Sequence, residues 1–83
     1  MKLKYDQKAD AAYLKLTDSQ IVESEEVFPD IIYDFDEENQ VVGIEILRLK
    51  GKTPEQLKLL NFPFSTEDKA ELKKFFSLQK HSF

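Results

Sequence analysis

Two apolar runs, Ile31-Ile32-Tyr33-Asp34-Phe35 and Val41-Val42-Gly43-Ile44-Glu45-Ile46, mirror one another across an acidic polar stretch at residues 36–40. The pattern predicts a β-hairpin. With Glu38-Asn39 as a two-residue turn, Phe35 faces Val42, Tyr33 faces Ile44 and Ile31 faces Ile46, so one face is apolar throughout and a one-residue slip would destroy the match. Gly43 then opposes Asp34, a place for close backbone approach or a bulge.

Earlier in the chain, residues 2–5 predict a short strand, followed by a polar turn at residues 6–10, where aspartates compete for local backbone amides. Ala12, Leu14 and Leu16 alternate with Tyr13, Lys15 and Thr17, the period of a half-buried strand. Residues 21–27 predict a third strand, with Glu23 and Glu25 between Ile21 and Val27 and with Pro29 nearby. Charges and a proline in those places mark a strand at a sheet edge. The hairpin's second strand is expected to continue through Leu47-Arg48-Leu49-Lys50 until Gly51, apolar on both faces. Beyond it, Thr53 and Pro54 predict the cap and first residue of a short helix to about Leu60. Ser65 or Thr66, with Glu67 and Asp68 behind it, predicts a longer helix to about Gln79. Its apolar stripe is Leu72, Phe75, Phe76 and Gln79. The fold class is therefore α+β: a small antiparallel sheet of four to five strands in hairpins or a meander, then one short and one longer helix. A single domain over residues 1–83 is expected, with the sheet in 1–50 and a helical tail in 51–83 that packs on the sheet or on a partner subunit.

Composition narrows the classes. The chain has 83 residues, and a domain of that size buries only about 60% of its unfolded surface, so it needs help to be stable. There is no cysteine, which excludes disulfides and thiolate metal sites. Seven phenylalanines and three tyrosines exceed what one thin core accommodates. Association into a homo-oligomer, a dimer or higher, is the expected remedy. The net charge is −4, yet residues 21–40 hold eight carboxylates and no lysine or arginine. Such a segment repels phosphate backbones and attracts basic partners or cations. No apolar run approaches the roughly 20 residues needed to cross a bilayer. The first residues lack the pattern of a secretory signal, so the expected compartment is the cytoplasm, with no membrane and no nucleic acid as partner.

Several separated motifs, in order, resemble a known family: Tyr5-Asp6, Ala9-Asp10-Ala11-Ala12-Tyr13-Leu14, Glu23-Ser24-Glu25-Glu26-Val27, Asp34-Phe35-Asp36, and the run from Val41 to Leu47. Together they are similar to domain of unknown function 2283, small proteins found mainly in bacteria. The resemblance covers about residues 1–50 and implies an antiparallel sheet with a following helix. It carries no activity, cofactor or catalytic residue onto this chain. Some members occur beside predicted toxin genes, which implies an antitoxin-like role as one expectation. Family hairpins often turn on Asp-Gly, where this chain has Glu38-Asn39; asparagine tolerates the left-handed conformation, so the turn survives.

Candidate chemistry is sparse. Asp34, Asp36 and Glu38, with Glu45 twelfth from Asp34, imitate the ligand spacing of a calcium loop. The imitation lacks the glycine such a loop needs at its sixth position, held here by Asn39, and the flanks read as strands; the hairpin explains the same residues without an ion. His81, the only histidine, is third from the end of the sequence, where side chains are ordinarily solvated. No catalytic constellation and no cofactor site emerges. Arg48, Lys50, Lys52 and Lys58 form a basic stretch that reads as ordinary surface. The candidate interface residues are Glu23, Glu25 and Glu26 on the acidic strand and Phe62, Phe64, Leu72, Phe75 and Phe76 in the tail. The expected function is a non-catalytic binding or assembly module with an acidic face. The alternatives are an antitoxin-like partner of a small basic nuclease and a weak divalent-cation binder at residues 34–45.

Overall fold

A computed structural model describes residues 1–52, 56 and 62–78. The chain divides into two compact units, Met1–Leu49 and Lys50–Phe83. The first is a five-stranded antiparallel sheet: β1 (Lys2–Asp6), β2 (Ala11–Lys15), β3 (Glu23–Phe28), β4 (Ile31–Phe35) and β5 (Val41–Ile46). Their order across the sheet is β1-β2-β5-β4-β3. β5 thus returns to lie between β4 and β2, and the outer strands are β1 and β3. The segment linking β2 to β3 crosses the ends of β5 and β4 on its way to the far edge. There Leu16 N–H donates to Val42 O (2.9 Å) and Val22 N–H to Phe35 O (2.9 Å).

The alternation read from the sequence sorts the two faces. Ala12 and Leu14 of β2 pair with Ile46 and Ile44 of β5, which in turn face Ile31 and Tyr33 of β4. All of these except the half-buried Tyr33 are buried, together with Val42. This is the apolar face expected from the hairpin register. The opposite face carries Lys2, Lys4, Tyr13, Lys15, Gly43, Glu45, Ile32, Asp34 and Ser24, in rows set by the same pairings.

The register of the central hairpin is as expected from Ile31↔Ile46 to Asp34↔Gly43, but then shifts: Phe35 faces Val41, not Val42. The two-residue turn on Glu38-Asn39 is corrected to a three-residue loop, residues 37–39. Asn39 N–H donates to Asp36 O and Asp36 N–H to Gln40 O, both at 3.0 Å. Asn39 itself is left-handed, with φ 61°. A tight turn followed by one left-handed residue is the usual three-residue hairpin loop, and the odd residue it introduces is absorbed as a bulge at Val42.

A second correction concerns the end of β5. The strand stops at Ile46 and does not continue to Lys50; Arg48 is left-handed (φ 51°) and Leu49–Gly51 forms a 3-10 turn. The reason is the lack of neighbours. Ile46 lies opposite Ile31, the first residue of β4, and Ala12, the second residue of β2, so beyond it β4 has ended and β2 has only Ala11 left. Leu47 N–H instead donates to Asp30 O (2.8 Å) and Leu49 N–H to Asp10 O (3.0 Å). The third strand begins at Glu23, and Ile21 and Val22 before it are exposed.

Among the described residues, the second unit contains one α-helix, α1 (Thr66–Leu78). Ser65 caps it: its Oγ accepts from Asp68 N–H at 3.1 Å. Glu67 and Asp68 sit in the first turn, where the dipole favours negative charge. Leu72 and Phe76 are buried, Phe75 is half-buried, and Gln79 lies outside the described residues. Of the short helix expected between Thr53 and Leu60, only Gln56 is among them, and it is helical.

Candidate functional site: an acidic sheet edge and a clamped carboxylate

β3 pairs with β4 alone, and its residues Glu23, Ser24, Glu25 and Glu26 are all exposed. Glu23 and Glu25 share a face with Phe35 and Tyr33, while Ser24 lies opposite Asp34 on the other. Glu26 turns back on the Pro29-Asp30 turn, where its Oε2 accepts from Asp30 N–H at 3.1 Å. That turn places a proline before a left-handed residue, Asp30 at φ 65°, the arrangement of a type II turn. Val22, 59% exposed, extends the edge with an apolar side chain.

Next to this edge, Asp34 is only 7% exposed. Its Oδ1 accepts from Ser24 Oγ at 2.6 Å and its Oδ2 from Tyr13 Oη at 3.1 Å. The clamp thus joins β2, β4 and β3 across β5. It passes over Gly43, because a Cβ at that position would collide with the Tyr13 hydroxyl and lie 2.8 Å from Cζ. Burial, then the hydrogen bond to Asp34, raise the Tyr13 pKa above its ordinary value. Such a charge-assisted pair of hydroxyl bonds satisfies a buried carboxylate that would otherwise be costly. Sequence reasoning missed the clamp. The signal available to it was the glycine opposite Asp34; what it lacked was the adjacency of β2 and β5.

The residues of the imitation calcium loop are dispersed to other tasks. Asp34 is held by two hydroxyls. Asp36 Oδ1 accepts the amides of Glu38 and Gln40, both at 2.9 Å, and so builds the turn. Asp36 and Glu38 line a shallow depression of about 240 Å³ with Ser19, Gln20, Val22 and Glu37. Glu45 lies two strands from β3, opposite Tyr13 and Ile32. Among the described residues, no group of three or more His, Cys, Asp or Glu side chains is placed to hold a metal ion.

In the tail, Phe64, Leu72 and Phe76 are buried, and the rings of Phe62 and Phe64 lie 4.9 Å apart. Phe75 meets Phe76 edge-on at 5.3 Å. Of the basic stretch, Arg48 lies 3.7 Å from Asp30, Lys52 is buried, and Lys58 is outside the described residues, as is His81. Among the described residues, no helix is long and apolar enough to cross a membrane.

The model of the family DUF2283, described as a protein of unknown function, matches residues 2–50. The chain belongs to this family. The DUF2283 match takes in every strand, the acidic edge and the clamp, and ends inside the 3-10 turn. No curated protein and no solved structure gives a significant match.

Proposed function

We propose that the chain is a non-catalytic binding and assembly module whose β3 edge receives a basic, extended segment of a partner. One observation carries the reading: the outermost strand offers Glu23, Ser24, Glu25 and Glu26 to solvent within a stretch, residues 21–40, that has no lysine or arginine. A sheet edge supplies main-chain hydrogen bonds to an added strand, and alternate side chains decide which strand is accepted. Here those side chains are carboxylates, so lysines at alternate positions fit. An antitoxin-like cap on a small basic nuclease is a second reading of the same edge, supported by the same charge complementarity, which speeds capture. Its mark would be co-purification with a basic protein encoded next to it.

The test is a titration of the isotope-labelled chain with a peptide of alternating lysine and valine. Amide resonances of β3 and β4 are expected to move, less so as salt rises. They should stay in place when Glu23, Glu25 and Glu26 are all replaced by glutamine. Shifts elsewhere only, or shifts indifferent to the replacement, would end the reading.

A further inference from the structure

The two outer strands of the sheet carry opposite charge. β1 presents Lys2 and Lys4, both exposed and two residues apart on one face. β3 presents Glu23 and Glu25 in the same spacing on one face. Among the described strands each is paired on one side alone, β1 with β2 and β3 with β4. Charges on an outer strand ordinarily refuse another strand. Here the refusal is selective. A second β3 would set carboxylate against carboxylate, and a second β1 in full antiparallel overlap would set Lys4 against Lys4, with Lys2 opposite Asp6; like charges directly opposite oppose pairing. A β1 against a β3 meets no such repulsion.

We propose that the segment received by β3 is β1 of a second copy of this chain, so that copies join head to tail along their sheets. The inference rests on the reading of β3 given above and names its partner. In antiparallel register, Lys2 faces Glu25 and Lys4 faces Glu23, while Leu3 faces Ser24 on the other side. The lengths suit one another, five residues in β1 and six in β3. No other basic stretch in the described residues is extended: Arg48 and Lys50 lie at a left-handed residue and a 3-10 turn, and Lys73 and Lys74 lie on α1. Because the two contacting surfaces differ, the contact does not complete itself in a pair. It builds rings or open chains that lengthen with concentration.

Light scattering over a concentration series tests this with the full chain. At low ionic strength the mass is expected to rise above the 9.7 kDa of one chain, and to fall back toward it in about 500 mM salt, where screening acts within a few ångströms. The variant Lys2→Glu/Lys4→Glu has two acidic edges, and Glu23→Lys/Glu25→Lys has a basic β3 beside its basic β1. Each alone should stay at the mass of one chain, and an equimolar mixture should recover assembly. A wild-type mass of one chain at every concentration overturns the inference, as does assembly that survives both charge reversal and salt. If the chain stays single while the lysine peptide still moves the β3 amides, the self-pairing fails and the edge reading stands. If the peptide also leaves those amides unmoved, both fail.

Discussion

Tyr13 reaches over Gly43 to the Asp34 carboxylate, and the ring occupies the space where a side chain on residue 43 would begin. Glycine costs a strand about 0.5–1 kcal/mol of conformational entropy, so propensity alone would make Gly43→Ala stabilising. The clamp reverses that sign. Displacing Tyr13 leaves a buried carboxylate one donor short, a loss of about 1.5–3 kcal/mol. Gly43→Ala is therefore expected to lower the urea midpoint, and Tyr13→Ala likewise. The double variant should cost less than the two added, since both remove the same hydrogen bond. Additive losses would separate the glycine from the clamp. The tyrosines also set an alkaline limit. Burial raises the pKa of Tyr5, Tyr13 and Tyr33 above 10.0, so the folded state prefers the protonated phenols. Their contribution is whole below the unfolded value and is lost as pH climbs through the folded one. Denaturation midpoints are expected to hold to about pH 9 and then to fall, less steeply in Tyr13→Phe than in the wild type.

At the level of elements, the turns are made by left-handed residues that are not glycine: Asp10, Asp30, Asn39 and Arg48, with φ between 51° and 65°. Asparagine and aspartate bear that conformation because their short side chains bond locally, whereas other side chains pay about 1–2 kcal/mol. Asn39→Ala should accordingly cost about 1 kcal/mol and Asn39→Gly little or nothing, read from urea midpoints. Equal losses would place the importance of Asn39 in its amide rather than its backbone. The same turn marks the boundary of what the sequence could disclose. Ile31 against Ile46 and Tyr33 against Ile44 were legible because a hairpin is a local object whose faces are written in alternation. The shift at Phe35 was not, since a two-residue and a three-residue loop use the same polar stretch and both place Asn39 left-handed; a type I′ turn would need Glu38 left-handed as well, and here it is not. The stop after Ile46 was hidden for another reason: Leu47 and Leu49 keep the apolar alternation going, and only the position of strands from elsewhere in the chain decides that β4 has ended and β2 has a single residue left. Tyr13 with Asp34 was hidden likewise, because β2 and β5 are neighbours in space but far apart in sequence.

For the molecule as a whole, strand order decides which charges matter. The eight carboxylates of residues 21–40 would be scattered surface in a sheet of another order. With β3 outermost, three of them flank exposed backbone, while β1 brings lysines to the opposite border. The salt dependence asked of the lysine peptide belongs to this scale, since exposed charges are felt over roughly 10 Å at about 0.1 M salt and much less beyond it. Of the tail side chains read from the sequence as interface candidates, Phe64, Leu72 and Phe76 are buried.

The way the polypeptide departs from β5 has a consequence of its own. Leu47 and Leu49 are buttoned by their amides to the carbonyls of Asp30 and Asp10, one from each of two separate turns, and the left-handed Arg48 between them makes both fastenings reachable. The family match ends at residue 50, just past the second button. The exit of β5 therefore ties two reversals together: loosening Arg48 would release Leu47 from Asp30 and Leu49 from Asp10 at once, so the end of β5 and the starts of β2 and β4 should lose amide protection as one unit.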